Sequence, residues 1–271
     1  MVGIVIVTYN SEKYIETGLK AVFSELELLK GEMKKYPLRP VVVVVDNKSQ
    51  DNTLDIVRNN FSKTEILENK RNIGFARAVN KGIRHCEKFG SKFILLLNPD
   101  TKMEKGALSE MIKVMEKENG EYGDRKPDNL LTRKPVAIVQ PLITLMKDPE
   151  RINTSGNRYR GFGLATLGDF GNKVLSFDSH PNSLNRPNNP INFASGACML
   201  IRSSVFEKAG LFDERFFLYY EDTEFSERVR RSGFEIYLAA KARVQHDYSR
   251  ALSWRKLKFF LSGWWKYYVK A

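Results

Sequence analysis

Apolar and polar positions along the chain follow two rhythms. Residues 2–7 and 41–45 are continuous apolar runs rich in β-branched side chains, and each gives way to polar residues where a loop should begin. Such runs fit strands buried on both faces of a parallel sheet. Between them Tyr14, Ile15, Leu19, Val22, Phe23, Leu26 and Leu29 recur at helical spacing, with Ser11 placed to cap the helix N-terminus. The pattern predicts further helices over 52–60, 76–88, 105–118, 204–208 and 222–231, and strands over 65–68, 93–97, 136–145 and 235–239, with a last strand-like piece at 244–246. Strands alternating with helices imply a doubly wound, mostly parallel α/β sheet flanked by helices. Two stretches break the rhythm. Residues 118–135 are charged and poor in apolar side chains, as in a surface loop, and residues 153–189 are rich in Gly, Asn, Ser and Arg, the usual material of an active-site lid or acceptor loop.

In open sheets of this kind, ligands bind beyond the carboxyl ends of the strands. Three polar strand ends meet that description: Thr8-Tyr9-Asn10, Asp46-Asn47 and Asn98-Pro99-Asp100. A carboxylate on a sharp turn at a strand end suits a divalent cation, although Asp100 in that position could equally cap the next turn. Glu221 and Asp222 open a predicted helix, where the macrodipole stabilises acids whether or not they do chemistry. Their aromatic neighbours Tyr219, Tyr220 and Phe225 favour a desolvated carboxylate, and so a tuned general base. Gly74 stands directly before a helix, where backbone can approach a phosphate or sugar closely. A lone histidine, His246, sits near a strand end, and its value depends on its neighbours.

A formal charge of +12 favours an anionic partner, and the excess is partly local: residues 250–270 hold basic and aromatic side chains and no acid. Cys86 and Cys198 lack metal-like spacing, so a reducing cytoplasm fits best. The first residues turn polar too soon for a secretory signal, and no run of about 18 apolar residues occurs.

Six blocks in order are similar to those of the family 2 inverting glycosyltransferases: residues 4–10; Val43 to Asp46 with Asn47, Ser49 and Asp51; Asn72 with Gly74, Phe75, Ala78, Asn80 and Gly82; residues 97–100; Ser195-Gly196-Ala197; and Asp213-Glu214 with Phe216, Phe217, Tyr220, Glu221 and Asp222. The likeness runs from residue 2 to about 249 and is nearest the rhamnosyltransferase-like enzymes that build bacterial and archaeal surface glycans. It implies a GT-A fold over residues 1–250, with a nucleotide-binding half (1–100) and an acceptor-binding half (101–250), followed by a basic aromatic helix over 251–271. By the same resemblance Thr8, Tyr9 and Asn10 line the nucleotide pocket, Asp46 meets the base, and Arg71, Asn72, Gly74 and Asn98 adjoin nucleotide or sugar. Asp100, with His246, holds Mg²⁺ or Mn²⁺. Asp222 is the catalytic base and Glu221 its neighbour. Many members carry two aspartates around the metal turn, whereas Asn98 replaces the first here, so the cation would rest on one protein carboxylate, donor diphosphate and water.

The implied partners are a nucleotide-sugar donor and a glycan or lipid-linked acceptor. Residues 252–271 suit peripheral contact with an anionic membrane, at the inner face of the plasma membrane, or packing on the catalytic domain or against a second copy in a homodimer. Other classes fit less well. A non-catalytic glycan-binding module would not need both Asp100 and Asp222. A nucleotidyltransferase would carry a Gly-rich phosphate loop after the first strand, where Thr8-Tyr9-Asn10-Ser11 has no glycine, and no nucleic-acid module surrounds the basic surplus.

Overall fold

A computed structural model describes residues 1–32, 40–118, 134–160, 164–174, 189–248 and 254–270. In chain order the elements are β1 (Val2–Thr8), α1 (Glu12–Glu32), β2 (Val41–Asp46), α2 (Thr53–Asn60), β3 (Thr64–Glu68), α3 (Phe75–Lys88), β4 (Phe93–Leu97), β5 (Thr101–Met103), α4 (Ala107–Glu118), β6 (Val136–Leu145), β7 (Asp148–Thr154), β8 (Asn157–Arg160), β9 (Leu164–Leu167), β10 (Asn189–Pro190), β11 (Cys198–Arg202), α5 (Val205–Ala209), α6 (Glu221–Arg231), β12 (Glu235–His246) and α7 (Trp254–Lys270).

The main sheet runs β10-β12-β6-β11-β4-β1-β2-β3, with β5 added to β12 and β7 to β6. Strands β4, β1, β2 and β3 are parallel, as the apolar runs predict, and β11 enters antiparallel between β4 and β6. Side chains alternate between two cores. Ile4, Ile6, Val42 and Val44 pack under α1, α2 and α4, whereas Val5, Val43 and Val45 pack under α3, α5 and α6. That period-two split is the geometry of a strand covered on both faces. Helix α3 shows the matching helical period, burying Ala76, Val79, Ile83 and Cys86.

Two sequence expectations change. Residues 153–160 are not irregular: β7 ends there and β8 pairs with β9 in a hairpin. Short sequences without a clear apolar alternation hid these strands. Residues 235–239 and 244–246 belong to one strand, β12, whose register against β6 shifts between Ala239 and Arg243. The irregularity hides the continuity, since Ala240, Lys241 and Ala242 have no counterpart on β6 and break the alternation. The loop expected over 118–135 falls almost wholly outside the described residues, as do residues 161–163 and 175–188 of the lid expected over 153–189.

Candidate active site

Strand β12 ends beside the turn that follows β4. His246 pairs with Thr101 of β5, and the Asp247 amide donates to the Asp100 carbonyl at 3.0 Å. This pairing brings His246 Nε2 to 3.4 Å from Asp100 Oδ1. Asp100 Oδ1 is buried and meets no hydrogen-bond donor. On the other side of the ring, Nδ1 lies 3.1 Å from Asn153 Oδ1. With the proton on Nδ1, donated to Asn153, the Nε2 lone pair faces the carboxylate oxygen. Two acceptors confronting each other in this way suit a divalent cation between them. Among the described residues no group of three or more His, Cys, Asp or Glu side chains gathers as a metal cluster.

Asn98 joins this turn to the second acidic position. Its amide donates to the Ala197 carbonyl at 2.9 Å, and one residue away the Gly196 amide donates to Asp222 Oδ2 at 2.9 Å. Asp222 Oδ1 accepts from the Thr223 amide at 2.7 Å and from its hydroxyl at 3.3 Å. Burial raises the Asp222 carboxyl above its ordinary value, and these donors act in the opposite sense by favouring the anion. Glu221 is different. It is buried, its Oε2 has no partner, and burial together with the Asp222 charge lifts its carboxyl to about 8. Of the two neighbouring acids, Glu221 keeps its proton near neutrality and Asp222 is the one equipped to carry charge.

The backbone just before α6 is strained. Tyr219 and Tyr220 both have φ of 69°, a conformation that bulky residues rarely adopt. The strain places Glu221 and Asp222 in the first helical turn, where the helix N-terminus favours negative charge.

At the carboxyl ends of β1 and β2, Asp46 is buried and fully engaged. Thr8 Oγ1 and Ser49 Oγ donate to its Oδ1 at 2.8 and 2.6 Å, and the Ser49 amide to its Oδ2 at 2.8 Å. Thr8 is itself buried and stands behind Asp46. Tyr9 is 43% exposed, and Asn10, at φ 52°, bridges to the Ser49 hydroxyl and the Gln50 amide. Asn47, passed over in the sequence as a site residue, ties the loops together: its amide accepts from Asn69 and Ile73 and donates to the Gly74 carbonyl. Asn72 accepts from the Gly74 amide at 3.0 Å, and Arg71 is exposed. Gly74 has φ of 87°, and a Cβ there would meet the Phe217 carbonyl at 2.8 Å, so only glycine fits against the segment leading to the acidic pair.

Two further features escaped the sequence. Asn153, which holds His246, lies 93 residues from it and carries no local signal. Asp247 faces a cavity of about 240 Å³ beside the turn that follows β4, lined also by Lys13, Tyr14, Asp100 and Lys147. The Tyr14 hydroxyl donates to Asp247 at 2.6 Å, and this bond with the two lysines holds the carboxyl below its ordinary range.

Comparison with known proteins follows the same lines. Residues 3–130 match the family model for glycosyl transferase family 2. Over 97% of its length the chain is 26% identical to an N-acetylglucosaminyl-diphospho-decaprenol L-rhamnosyltransferase of Mycobacterium tuberculosis, of which it covers 86%. It is 27% identical, over 86% of its length, to a low-salt glycan biosynthesis hexosyltransferase of Haloferax volcanii. It spans 63% of that relative. Among solved structures it superposes with a TM-score of 0.58 on a mannosyltransferase of Pyrobaculum calidifontis in complex with GDP-Man and Mn²⁺. There the identity is 16%, and the match covers 92% of this chain and 57% of the other. The fold is GT-A.

Proposed function

Because the chain belongs to glycosyl transferase family 2 through residues 3–130, we propose that it transfers a sugar, with inversion and with a divalent metal, from a nucleoside diphosphate donor to a hydroxyl of a glycan or lipid-linked acceptor. The donor is a dTDP-rhamnose-like or UDP-sugar. Similarity to a protein named for L-rhamnosyl transfer and decaprenyl diphosphate supports both the rhamnosyl donor and the lipid-linked acceptor. A lipid-linked acceptor would bring the enzyme to a membrane surface, with α7 as the contact.

The observation that carries the metal assignment is the buried, donor-free Asp100 oxygen facing His246 Nε2 at 3.4 Å. One carboxylate and one imidazole fit Mg²⁺ or Mn²⁺ whose remaining positions are filled by diphosphate and water. When bound, the cation would neutralise the charge that develops on the departing nucleoside diphosphate. Asp222 takes the proton from the acceptor hydroxyl, with its second oxygen fixed by the Gly196 amide. Glu221, neutral beside it, adds no second charge to the helix N-terminus. Tyr9 offers an exposed ring to the base, and Asp46 holds the Ser49 loop on which the base rests. A single displacement needs no covalent carboxylate partner.

A screen of dTDP-, UDP- and GDP-sugars with Mg²⁺ and Mn²⁺ for hydrolysis or thermal stabilisation tests this reading, with NMR of the product reporting the anomeric configuration. Metal-dependent turnover with inversion is the expected result. Retention of configuration, or turnover unaffected by a chelator, would overturn it.

A further inference from the structure

Helix α7 has two faces with different tasks. The inner face lies on the segment that leads into the acidic pair. Phe259 stacks on Phe217 at 4.8 Å between ring centroids, Phe260 meets Tyr220 at 5.2 Å, and Tyr267 meets Tyr220 at 5.8 Å while its hydroxyl donates to Glu227. Lys266 donates to the Arg215 carbonyl at 2.8 Å. Gly263 lets the helix approach so closely that an added Cβ would stand 2.6 Å from the Tyr219 carbonyl oxygen. The left-handed pair Tyr219-Tyr220 is therefore held from behind by α7.

The outer face is bare. Trp254, Leu261, Trp265 and Tyr268 are spaced by seven, four and three residues, which sets them in one stripe along the helix, and they are 87%, 51%, 60% and 48% exposed. Val269, 65% exposed, flanks the stripe. Residues 250–270 add six basic side chains, Arg250, Arg255, Lys256, Lys258, Lys266 and Lys270, and no acidic one. Exposed tryptophan and tyrosine rings in an apolar stripe, set among cations on long alkyl stems, suit the boundary between lipid headgroups and acyl chains. A second copy of the helix would bring the same five charges, Arg255, Lys256, Lys258, Lys266 and Lys270, with no acid to meet them, whereas an acidic lipid surface supplies the missing sign.

We infer that α7 seats its outer stripe on an anionic membrane surface while its inner face fixes the Tyr219-Tyr220 segment that delivers Asp222. The inference rests on the reading of a lipid-linked acceptor and deepens it, because the docked surface and the base then share one end of the molecule. Membrane contact and the positioning of the base become properties of a single helix.

The chain's three tryptophans, Trp254, Trp264 and Trp265, all lie in α7, so tryptophan emission reports on this helix alone. The full chain is mixed with vesicles of phosphatidylcholine and phosphatidylglycerol in equal parts, or of phosphatidylcholine alone, and sedimented. Sedimentation is expected with the anionic vesicles, and the triple variant Trp254→Ser, Leu261→Ser, Trp265→Ser should partition roughly a hundredfold more weakly. A variant keeping only Trp265 (Trp254→Phe, Trp264→Phe) should be quenched by brominated lipid, and one keeping only Trp264 (Trp254→Phe, Trp265→Phe) should not. No sedimentation of the wild type with anionic vesicles, equal partitioning of the triple variant, or a wild-type dimer in solution that the triple variant abolishes would each overturn the inference. These measurements need neither donor nor metal. A failed vesicle assay thus leaves the transferase reading standing, while vesicle binding without turnover of any donor counts against that reading alone.

Discussion

Glu221 is 6% exposed, has an unpartnered Oε2 and adjoins the charge of Asp222, and together these lift its carboxyl from 4.5 to about 8. The folded-state value lies above the unfolded one, so the folded chain holds a proton that the unfolded chain releases. The resulting stabilisation is fully present below pH 4.5 and is lost as pH rises through about 8. At 1.36 kcal/mol per pH unit the whole span amounts to about 5 kcal/mol, most of which falls between pH 5 and 8. Glu221→Gln keeps the shape of the protonated acid and cannot ionise. The variant should match the wild type in acid and outlast it in mild base. For a chain of this size a few kcal/mol corresponds to about 10 °C, so thermal unfolding followed by calorimetry should show the Tm difference widening by about that amount from pH 5 to pH 8. A difference that stays flat with pH, or a variant that loses ground as pH rises, refutes the assignment of Glu221 as a buried neutral acid.

Asp222→Asn should lower transfer roughly 10²- to 10⁴-fold while donor affinity stays within about threefold, as general-base loss without binding loss requires; initial rates and calorimetry with donor separate the two. Asp100→Ala should abolish metal-dependent donor binding, and Asn153→Ala, which frees the His246 ring, should raise the Mn²⁺ concentration for half-maximal activity roughly 10- to 100-fold, read from metal titrations of the rate. With one protein carboxylate, Mn²⁺ alone should bind weakly and tighten when UDP or dTDP is added, and tight binding without nucleotide in calorimetry would count against the site. Gly263→Val, which forces a side chain onto the Tyr219 carbonyl, should cut donor hydrolysis in solution at least about tenfold through kcat rather than KM, whereas a parallel rise in KM would argue for general loosening of the fold.

Much of the parallel half was legible in the sequence. Strands β1, β2 and β4 are covered on both faces, so their burial is written as unbroken apolar runs, and α1 and α3 carry their period in the residues they bury. The antiparallel half was harder to read. Strand β5 has three residues, too few for a period, and β12 is interrupted by a bulge. Strands β7 and β8 have mostly polar sequences with no apolar alternation to read. Resemblance named Asp100 and His246 as the metal residues, but their approach to 3.4 Å depends on the β5–β12 pairing across some 140 residues, which no local pattern records.

The acidic pair shows why adjacency in sequence conceals function. Two carboxylates at consecutive helical positions point about 100° apart around the axis, so they meet different surroundings even though their composition and propensity are almost the same. Asp222 turns toward the Gly196 amide, which the antiparallel entry of β11 beside β4 has already set next to the turn after β4 through Asn98 and Ala197. Glu221 turns into the protein without a donor. The left-handed Tyr219-Tyr220 pair fixes the starting angle of the helix, and α7 holds that pair in place. A rotation of α6 by one residue would exchange the two roles. The choice of the proposed base therefore resides in the strained turn and the helix behind it as much as in the aspartate itself.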